Sequence, residues 1–330
     1  MNFMVNIEIG KNEQNQRLDK FLRKYLGKAP LSYIYKAIRK DVKVNGKRSK
    51  EDYILELGDT VTLYIADDVI ESYRKKVETT RAKRQFKIAY EDENLIIVEK
   101  PFGLLTHGDQ HEKKNHLANQ VIDYLIETES YNPRIEKTFT PAPVNRLDRN
   151  TTGLVLFGKT NLAVQQLNQM IREKDKISKC YMTIVAGNLK RELHLRDRMV
   201  KDRANNKVTV LSMDQEGLEM ETIVRPMKSS GKYTLVEVEI ITGRTHQIRA
   251  HLAKAGHPVI GDVKYGDKKV NGFVRQRFDL NTQLLHAYKL HFEGCGGELA
   301  YLNGKTVYAE LPEDFQRIKT DLFGEDKKEK

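Results

Sequence analysis

The chain has 330 residues, 39% of them hydrophobic and 31% charged, with a formal charge of +11. Domains usually span about 100 to 200 residues, so this is material for one substantial core plus a smaller accessory unit, and not for a disordered tail. Cys180 and Cys295 stand alone, without clustered Cys or His, which excludes a disulfide framework and a zinc site. The first ten residues lack a basic start followed by an apolar segment. No run approaches the roughly 18 apolar residues of a membrane span, so a soluble, cytoplasmic protein is expected.

The charge is uneven. Residues 1–65 carry 13 Lys and Arg against 8 Asp and Glu, and residues 66–87 carry 7 against 4, so +8 of the +11 lies in the first quarter. Such an excess reads either as a solvated basic surface or as a polyanion-binding module, whose Lys and Arg release counterions on neutralising phosphates.

Leu18, Phe21, Leu22 and Tyr25 recur at i, i+3, i+4 and i+7, which predicts a helix over 17–25 with Arg17, Lys20 and Lys24 mostly off its apolar stripe. A second short helix is predicted after Ser32 as N-cap, turning Ile34, Ala37 and Ile38 inward. Residues 41–47 alternate apolar and polar and reach the turn signal Asn45-Gly46. Residues 66–87 hold Arg74, Lys75, Lys76, Arg81, Lys83 and Arg84 with little apolar periodicity and read as a basic linker.

A larger unit is expected over 88–318, followed by a charged, frayed tail at 319–330. Its strand candidates are 95–98, 154–157, 181–186 and 233–241. Thr160 is placed to cap a helix carrying Ala163, Leu167, Met170 and Ile171 on one face, and 245–255 reads as a helix ending at Gly256. Strands outnumber helices and the connections are too irregular for repeated βαβ units. The expected class is therefore α+β, with a mostly antiparallel mixed sheet flanked by helices.

Between two apolar elements lies a polar loop, Pro143-Val-Asn-Arg-Leu-Asp-Arg-Asn-Thr-Thr-Gly153, of the kind that presents reactive groups. From composition alone Asp148 reads as a turn cap with Asn150 and Thr151.

Several of these segments carry resemblances. Arg17-Leu-Asp-Lys-Phe-Leu, Ser32-Tyr-Ile-Tyr-Lys-Ala-Ile-Arg, Val44-Asn-Gly and Gly58-Asp59 resemble the S4 RNA-binding domain, which implies RNA contacts from Arg17, Lys20, Lys36, Arg39, Lys43 and Lys47. Arg146-Leu-Asp-Arg-Asn-Thr-Thr-Gly153 is similar to the signature of the RluA-type pseudouridine synthases. Lys179-Cys-Tyr-Met-Thr-Ile-Val-Ala-Gly187 and Thr242-Gly-Arg-Thr-His-Gln-Ile-Arg249 look like that family's next motifs, in its order. The last runs on through His257-Pro-Val-Ile-Gly-Asp262 and Tyr265-Gly266, and Leu285-His-Ala287 matches the closing segment. Together with the first unit the likeness covers about residues 12–312 and looks most like the RluC branch, which modifies large-subunit (23S) ribosomal RNA. One departure is Asn145, where the family usually has His; Asn still donates and accepts hydrogen bonds.

The resemblance implies an isomerase that turns uridine into pseudouridine by breaking the C1′–N1 bond, rotating the base and joining C5 to C1′. No net oxidation or group transfer occurs, so no cofactor or metal is expected. Positive character develops at the sugar carbon, and the resemblance makes Asp148 the essential carboxylate, as nucleophile, as stabiliser of that charge or as base. Arg249 is implied as its ion-pair partner, with a helix-surface charge as the plainer reading. Tyr181 is implied to stack on uracil and help remove the C5 proton, and Leu285 to wall the base, though both read as core residues otherwise. The target must be flipped out of the RNA, with Arg146 entering the vacated space and His107, His246 and Gln247 contributing substrate or loop contacts. The expected partner is large-subunit ribosomal RNA or an assembling subunit, met by a monomer. A silent RNA-binding or assembly protein is opposed by the set Asp148, Tyr181 and Arg249, and a base-releasing glycosidase would leave an abasic site.

Overall fold

The computed structural model describes residues 4–74, 82–136, 138–202 and 207–325. At the N-terminus, strand β1 (Val5–Glu8) is followed by helices α1 (Leu18–Tyr25) and α2 (Leu31–Lys40), strands β2 (Val42–Val44) and β3 (Thr60–Leu63), and helix α3 (Asp67–Tyr73). The predicted stripe is buried: Leu18, Phe21, Leu22 and Tyr25 of α1 pack with Ile34, Ala37 and Ile38 of α2 and with Val42, Val44, Val61 and Leu63 of an antiparallel β1-β3-β2 sheet. Asn45 (φ 51°) and Gly46 (φ 76°) form the tight turn, closed by reciprocal bonds of 2.8 and 3.0 Å between Val44 and Lys47. The strand that β2 pairs with over its length is β3, more distant in sequence.

Three details differ from expectation. Helix α2 starts at Leu31 after Pro30, whose fixed φ suits that position, so Ser32 lies in the first turn and caps nothing. The stretch read as a linker opens with α3, which buries Ile70. Its Arg74 lies over the Tyr25 ring and bonds to the Tyr25 hydroxyl, and Arg84 lies over Phe86 and Tyr124, so both cations are held by aromatics. Lys75, Lys76 and Arg81 fall outside the described residues.

The second unit contains β4 (Lys87–Glu91), β5 (Leu95–Lys100), α4 (Leu117–Glu127), β6 (Ala142–Pro143), β7 (Thr152–Gly158), α5 (Asn161–Glu173), β8 (Ile177–Ala186), β9 (Leu193–Asp202), β10 (Lys207–Leu211), β11 (Leu218–Ser229) and β12 (Tyr233–Ile240). It continues with α6 (Gln247–Lys254), α7 (Lys268–Phe278), β13 (Leu285–Phe292), a 3-10 turn (Gly297–Leu302), β14 (Thr306–Tyr308) and α8 (Glu313–Phe323). These strands make one 11-stranded sheet, ordered β10-β9-β11-β12-β8-β13-β7-β5-β4, with β14 on β13 and β6 on β7. Among the described strands β13 and β7 alone run parallel, His286 facing Thr152 and Ala287 facing Gly153, so the class is α+β with a mostly antiparallel mixed sheet.

Both sheet faces are covered, which is why the central strands read as unbroken apolar runs. On β5, Ile96 and Val98 join the core under α4, while Leu95 and Ile97 join a second core with α5 and the 3-10 turn. Thr160 caps α5 as predicted, accepting from the Ala163 amide at 3.1 Å. Helix α8 extends to Phe323 and buries Phe315 and Ile318, so the charged tail expected from 319 begins inside a helix.

Candidate active site

The loop 143–153 is held from four sides. Asn145 acts as a strand edge built from a side chain: its Oδ1 accepts from the Leu156 amide at 2.8 Å and its Nδ2 donates to the Leu154 carbonyl at 3.4 Å. The Thr106 hydroxyl donates to the Leu147 carbonyl at 3.0 Å and accepts from the Leu147 amide at 3.1 Å. Asn150 donates to Thr282 at 3.1 Å. The Lys100 ammonium, 1% exposed, donates to the carbonyls of Pro101, Leu104 and Arg149 at 2.8 to 3.0 Å. Burial lowers the Lys100 pKa to about 7, against the pull of the Asp148 charge. Gly153 ends the loop at φ +108°, where an added Cβ would sit 2.1 Å from the Ala287 carbonyl oxygen. Only glycine lets β7 and β13 meet there.

Asp148, held this way, points at helix α6. Arg249 Nη1 donates to Asp148 Oδ2 at 3.2 Å, so the two side chains form the ion pair implied by the motifs. The main partner of Arg249 is another residue. Its Nε and Nη2 fork onto Asp262 at 2.6 and 2.8 Å, with the Asp262 side chain fully buried. Burial works against both charges, but their mutual hydrogen bonds and attraction raise Arg249 and hold Asp262 below the usual carboxyl range, with the Lys264 and Tyr265 amides helping Asp262. In the sequence Asp262 stands out only as a carboxylate two residues beyond the apolar pair Val259-Ile260, the signal for a buried anion.

His246 opens α6 in the left-handed region (φ 53°), with Nε2 3.8 Å from Asp148 Oδ2 and Nδ1 3.0 Å from the Tyr265 hydroxyl. Burial, with Arg249 and Lys264 nearby, lowers its pKa. Gln247, expected to make substrate or loop contacts, lines the chamber and holds the loop. Its oxygen accepts from the Thr242 hydroxyl and the Arg244 amide, and its nitrogen donates to the Glu221 carbonyl and the Thr222 hydroxyl, all at 2.8 to 3.0 Å. With no polar atom to spare, it clamps the loop 242–246 to β11.

Asp148, Arg249, Tyr181, Leu285, His246, Gln247 and Arg146 line one chamber that opens to the surface. Tyr181 on β8 and Leu285 at the start of β13 are both buried and supply apolar walls. Burial, then the Asp148 charge, pushes the Tyr181 phenol up. Thr151 also lines the chamber, and its buried hydroxyl has no hydrogen-bond partner among the described residues. A wider cleft continues outward past Arg146 and His107. Arg146 is exposed, and burial and the Arg146 charge lower the pKa of His107.

In the N-terminal unit, Lys20, Lys36, Arg39 and Lys47 are exposed. Lys43 lies 5.1 Å over the Tyr64 ring, and Arg17 forks onto Asp19 at 3.0 and 3.2 Å, so these two cations are partly committed within the fold.

Comparison with known proteins agrees with this geometry. The family model described as RNA pseudouridylate synthase matches residues 94–254. Ribosomal large subunit pseudouridine synthase C of Escherichia coli (strain K12) is 33% identical over 317 residues, 93% of this chain and 92% of its own length. The protein of the same name from Buchnera aphidicola subsp. Baizongia pistaciae is 33% identical over 290 residues, 87% of this chain and 88% of its own. Human RNA pseudouridylate synthase domain containing 4 shares the fold at a TM-score of 0.54 and 21% identity, covering 74% of this chain and 94% of that one. With the motif loop, the Arg249 helix and the Tyr181 strand converging on one chamber, the chain belongs to the RNA pseudouridylate synthase family.

Proposed function

We propose that the protein isomerises specific uridines to pseudouridine in the 23S RNA of the large ribosomal subunit, with Asp148 as the essential carboxylate. The observation that carries this reading is the convergence of Asp148, Arg249, Tyr181 and Leu285 on a single chamber. The substrate class rests on the relatives named for the large subunit.

The reaction breaks C1′–N1, forms C1′–C5, removes a proton from C5 and leaves one on N1. Asp148 presents a carboxylate oxygen to the sugar carbon as positive character develops there. Arg249, itself steadied by Asp262, keeps that carboxylate oriented. The Tyr181 ring and Leu285 hold the freed uracil between apolar faces while it turns. Burial, then the Asp148 charge, pushes the Tyr181 phenol up, so it enters the reaction as a neutral phenol whose ring stacks on uracil and whose hydroxyl is the group assigned to help remove the C5 proton. A stacked uridine cannot reach the chamber, and flipping costs a few kcal/mol. Arg146, exposed at the mouth, is suited to fill the gap left in the RNA.

The N-terminal unit, residues 1–65, is read as an S4 RNA-binding domain joined through 66–87 to a catalytic domain over 88–318. Its two-helix and hairpin order and its exposed Lys20, Lys36, Arg39 and Lys47 support that assignment. The enzyme is read as a cytoplasmic monomer; among the described residues no helix is long and apolar enough to cross a membrane.

The test is a pseudouridine map of ribosomal RNA from cells with and without the protein. A small set of large-subunit positions should revert to uridine in its absence and return with the wild-type chain. An unchanged map overturns the proposal.

A further inference from the structure

Among its described residues the large unit buries two lysines, and they differ in one respect. Lys100 has three N–H donors and three carbonyl acceptors at 2.8 to 3.0 Å, which satisfies the ammonium. Lys179, 6% exposed, has one hydrogen bond among the described residues, to the Ile177 carbonyl at 3.3 Å. Burial lowers the pKa of Lys179, and the charge of Glu239 opposes that shift. A cation taken from water with two donors unused is costly, and such costs persist where another group completes the set.

The position of Lys179 indicates what that group is. It precedes Tyr181 by two residues on β8, so both side chains leave the same sheet face. Both line the outer cleft, whose walls also carry Arg146, Arg172, Lys174 and Arg244 against the lone carboxylate of Asp148. Two of these cations are partly engaged: Lys174 Nζ lies 4.0 Å from Glu219 Oε2, and Arg244 Nε donates to the Glu219 carbonyl at 3.1 Å. Arg146 and Arg172 have no hydrogen bond or ion pair among the described residues, and with Lys179 they leave a surplus of positive charge beside the reacting base.

We propose that Lys179 holds a backbone phosphate of the RNA strand next to the flipped uridine, and that the strand runs on across the C-terminal end of α5, past Arg172 and Lys174. The inference rests on the RNA-modifying role argued above. A phosphate oxygen in the cleft completes the donor set of Lys179 and fixes the sugar of the target relative to Asp148. The ring of Tyr181, on the same strand, is then in register with the base.

The experiment uses the full chain and an in vitro transcript of 23S RNA, which carries no modifications. Wild type, Lys179→Met and Lys179→Arg are compared for single-turnover isomerisation and for filter binding as KCl is varied. Each phosphate contact removed lowers the log–log salt slope by about 0.7 on a single strand. Lys179→Met should therefore flatten the slope by about that amount and weaken binding about tenfold, with its thermal midpoint unchanged or raised, since a methionine replaces an unsatisfied buried charge. Lys179→Arg should restore the slope. Should the Met variant fail to fold, Lys179→Gln carries the same comparison. A folded variant with the wild-type slope overturns the proposal, as does a loss of isomerisation with slope and affinity intact, which would move Lys179 to the chemistry. Wild-type protein that binds the transcript but makes no pseudouridine strikes the proposed function instead, and the salt slopes still decide on Lys179.

Discussion

Asp262 takes two of the three guanidinium nitrogens of Arg249 and leaves Nη1 for Asp148. The order of burial is the reverse of the order of function. Asp262 is sealed in the protein, Arg249 is nearly so, and Asp148 keeps about a quarter of its side chain open to the chamber. A rigid anion behind the arginine thus aims one N–H at the exposed anion in front, and it pairs with the arginine so that Asp148 need not hold it alone.

Asp262→Asn keeps the shape and removes that rear charge. We expect kcat to fall about 100-fold, the scale of a misplaced reacting group, with KM for RNA nearly unchanged. Because half of a buried pair is removed, stability should drop by about 3 to 5 kcal/mol in chemical denaturation. A variant with wild-type kcat would show that Arg249 needs no support.

Asp148→Asn should abolish isomerisation in purified protein while RNA affinity stays within about twofold, since the side chain is assigned to chemistry and the cations to binding. Turnover is read by pseudouridine formation in 23S transcript and affinity by filter binding. Substantial residual turnover ends the assignment.

Asn145→Ala removes the side-chain acceptor of the Leu156 amide inside a buried strand. The unpaired N–H should cost about 1 to 3 kcal/mol. Loosening of the loop should also lower kcat, with RNA affinity retained. Unaltered melting and turnover would mean that the remaining anchors on Thr106, Lys100 and Thr282 suffice.

His251 and His286 predict acid sensitivity. Burial lowers each to about 4 from 6.5, so both are neutral in the folded protein where the unfolded chain would already be protonated. The sign follows: their contribution to stability is complete above about pH 6.5 and is lost as the pH falls towards 4, with about two protons taken up on unfolding. Replacing both with Gln should flatten the unfolding free energy across that window. The same slope in the variant and the wild type would refute the account.

Local signals were enough for much of the design. The 3.6-residue spacing of Leu18, Phe21, Leu22 and Tyr25, the cap at Thr160 and the turn at Asn45-Gly46 act within a few residues and are realised in the fold. The motif order brought Asp148, Tyr181, Arg249 and Leu285 to notice together. Less visible were β9, β10 and β11, which are half-exposed strands whose alternation is interrupted by charge, and α8, whose apolar face is narrow.

What depended on tertiary structure was which polar groups face each other. Gln247 and Asp262 both sit in motif segments, yet one is spent on holding a loop and the other on a buried arginine, because partners more than ten residues away reach them first. Lys100 and Lys179 are alike as letters, and only the count of oxygens around each nitrogen separates an anchor from an open donor. Sequence periodicity reports which side of an element is apolar. It carries no record of the distances across a sheet on which hydrogen bonding and charge pairing depend.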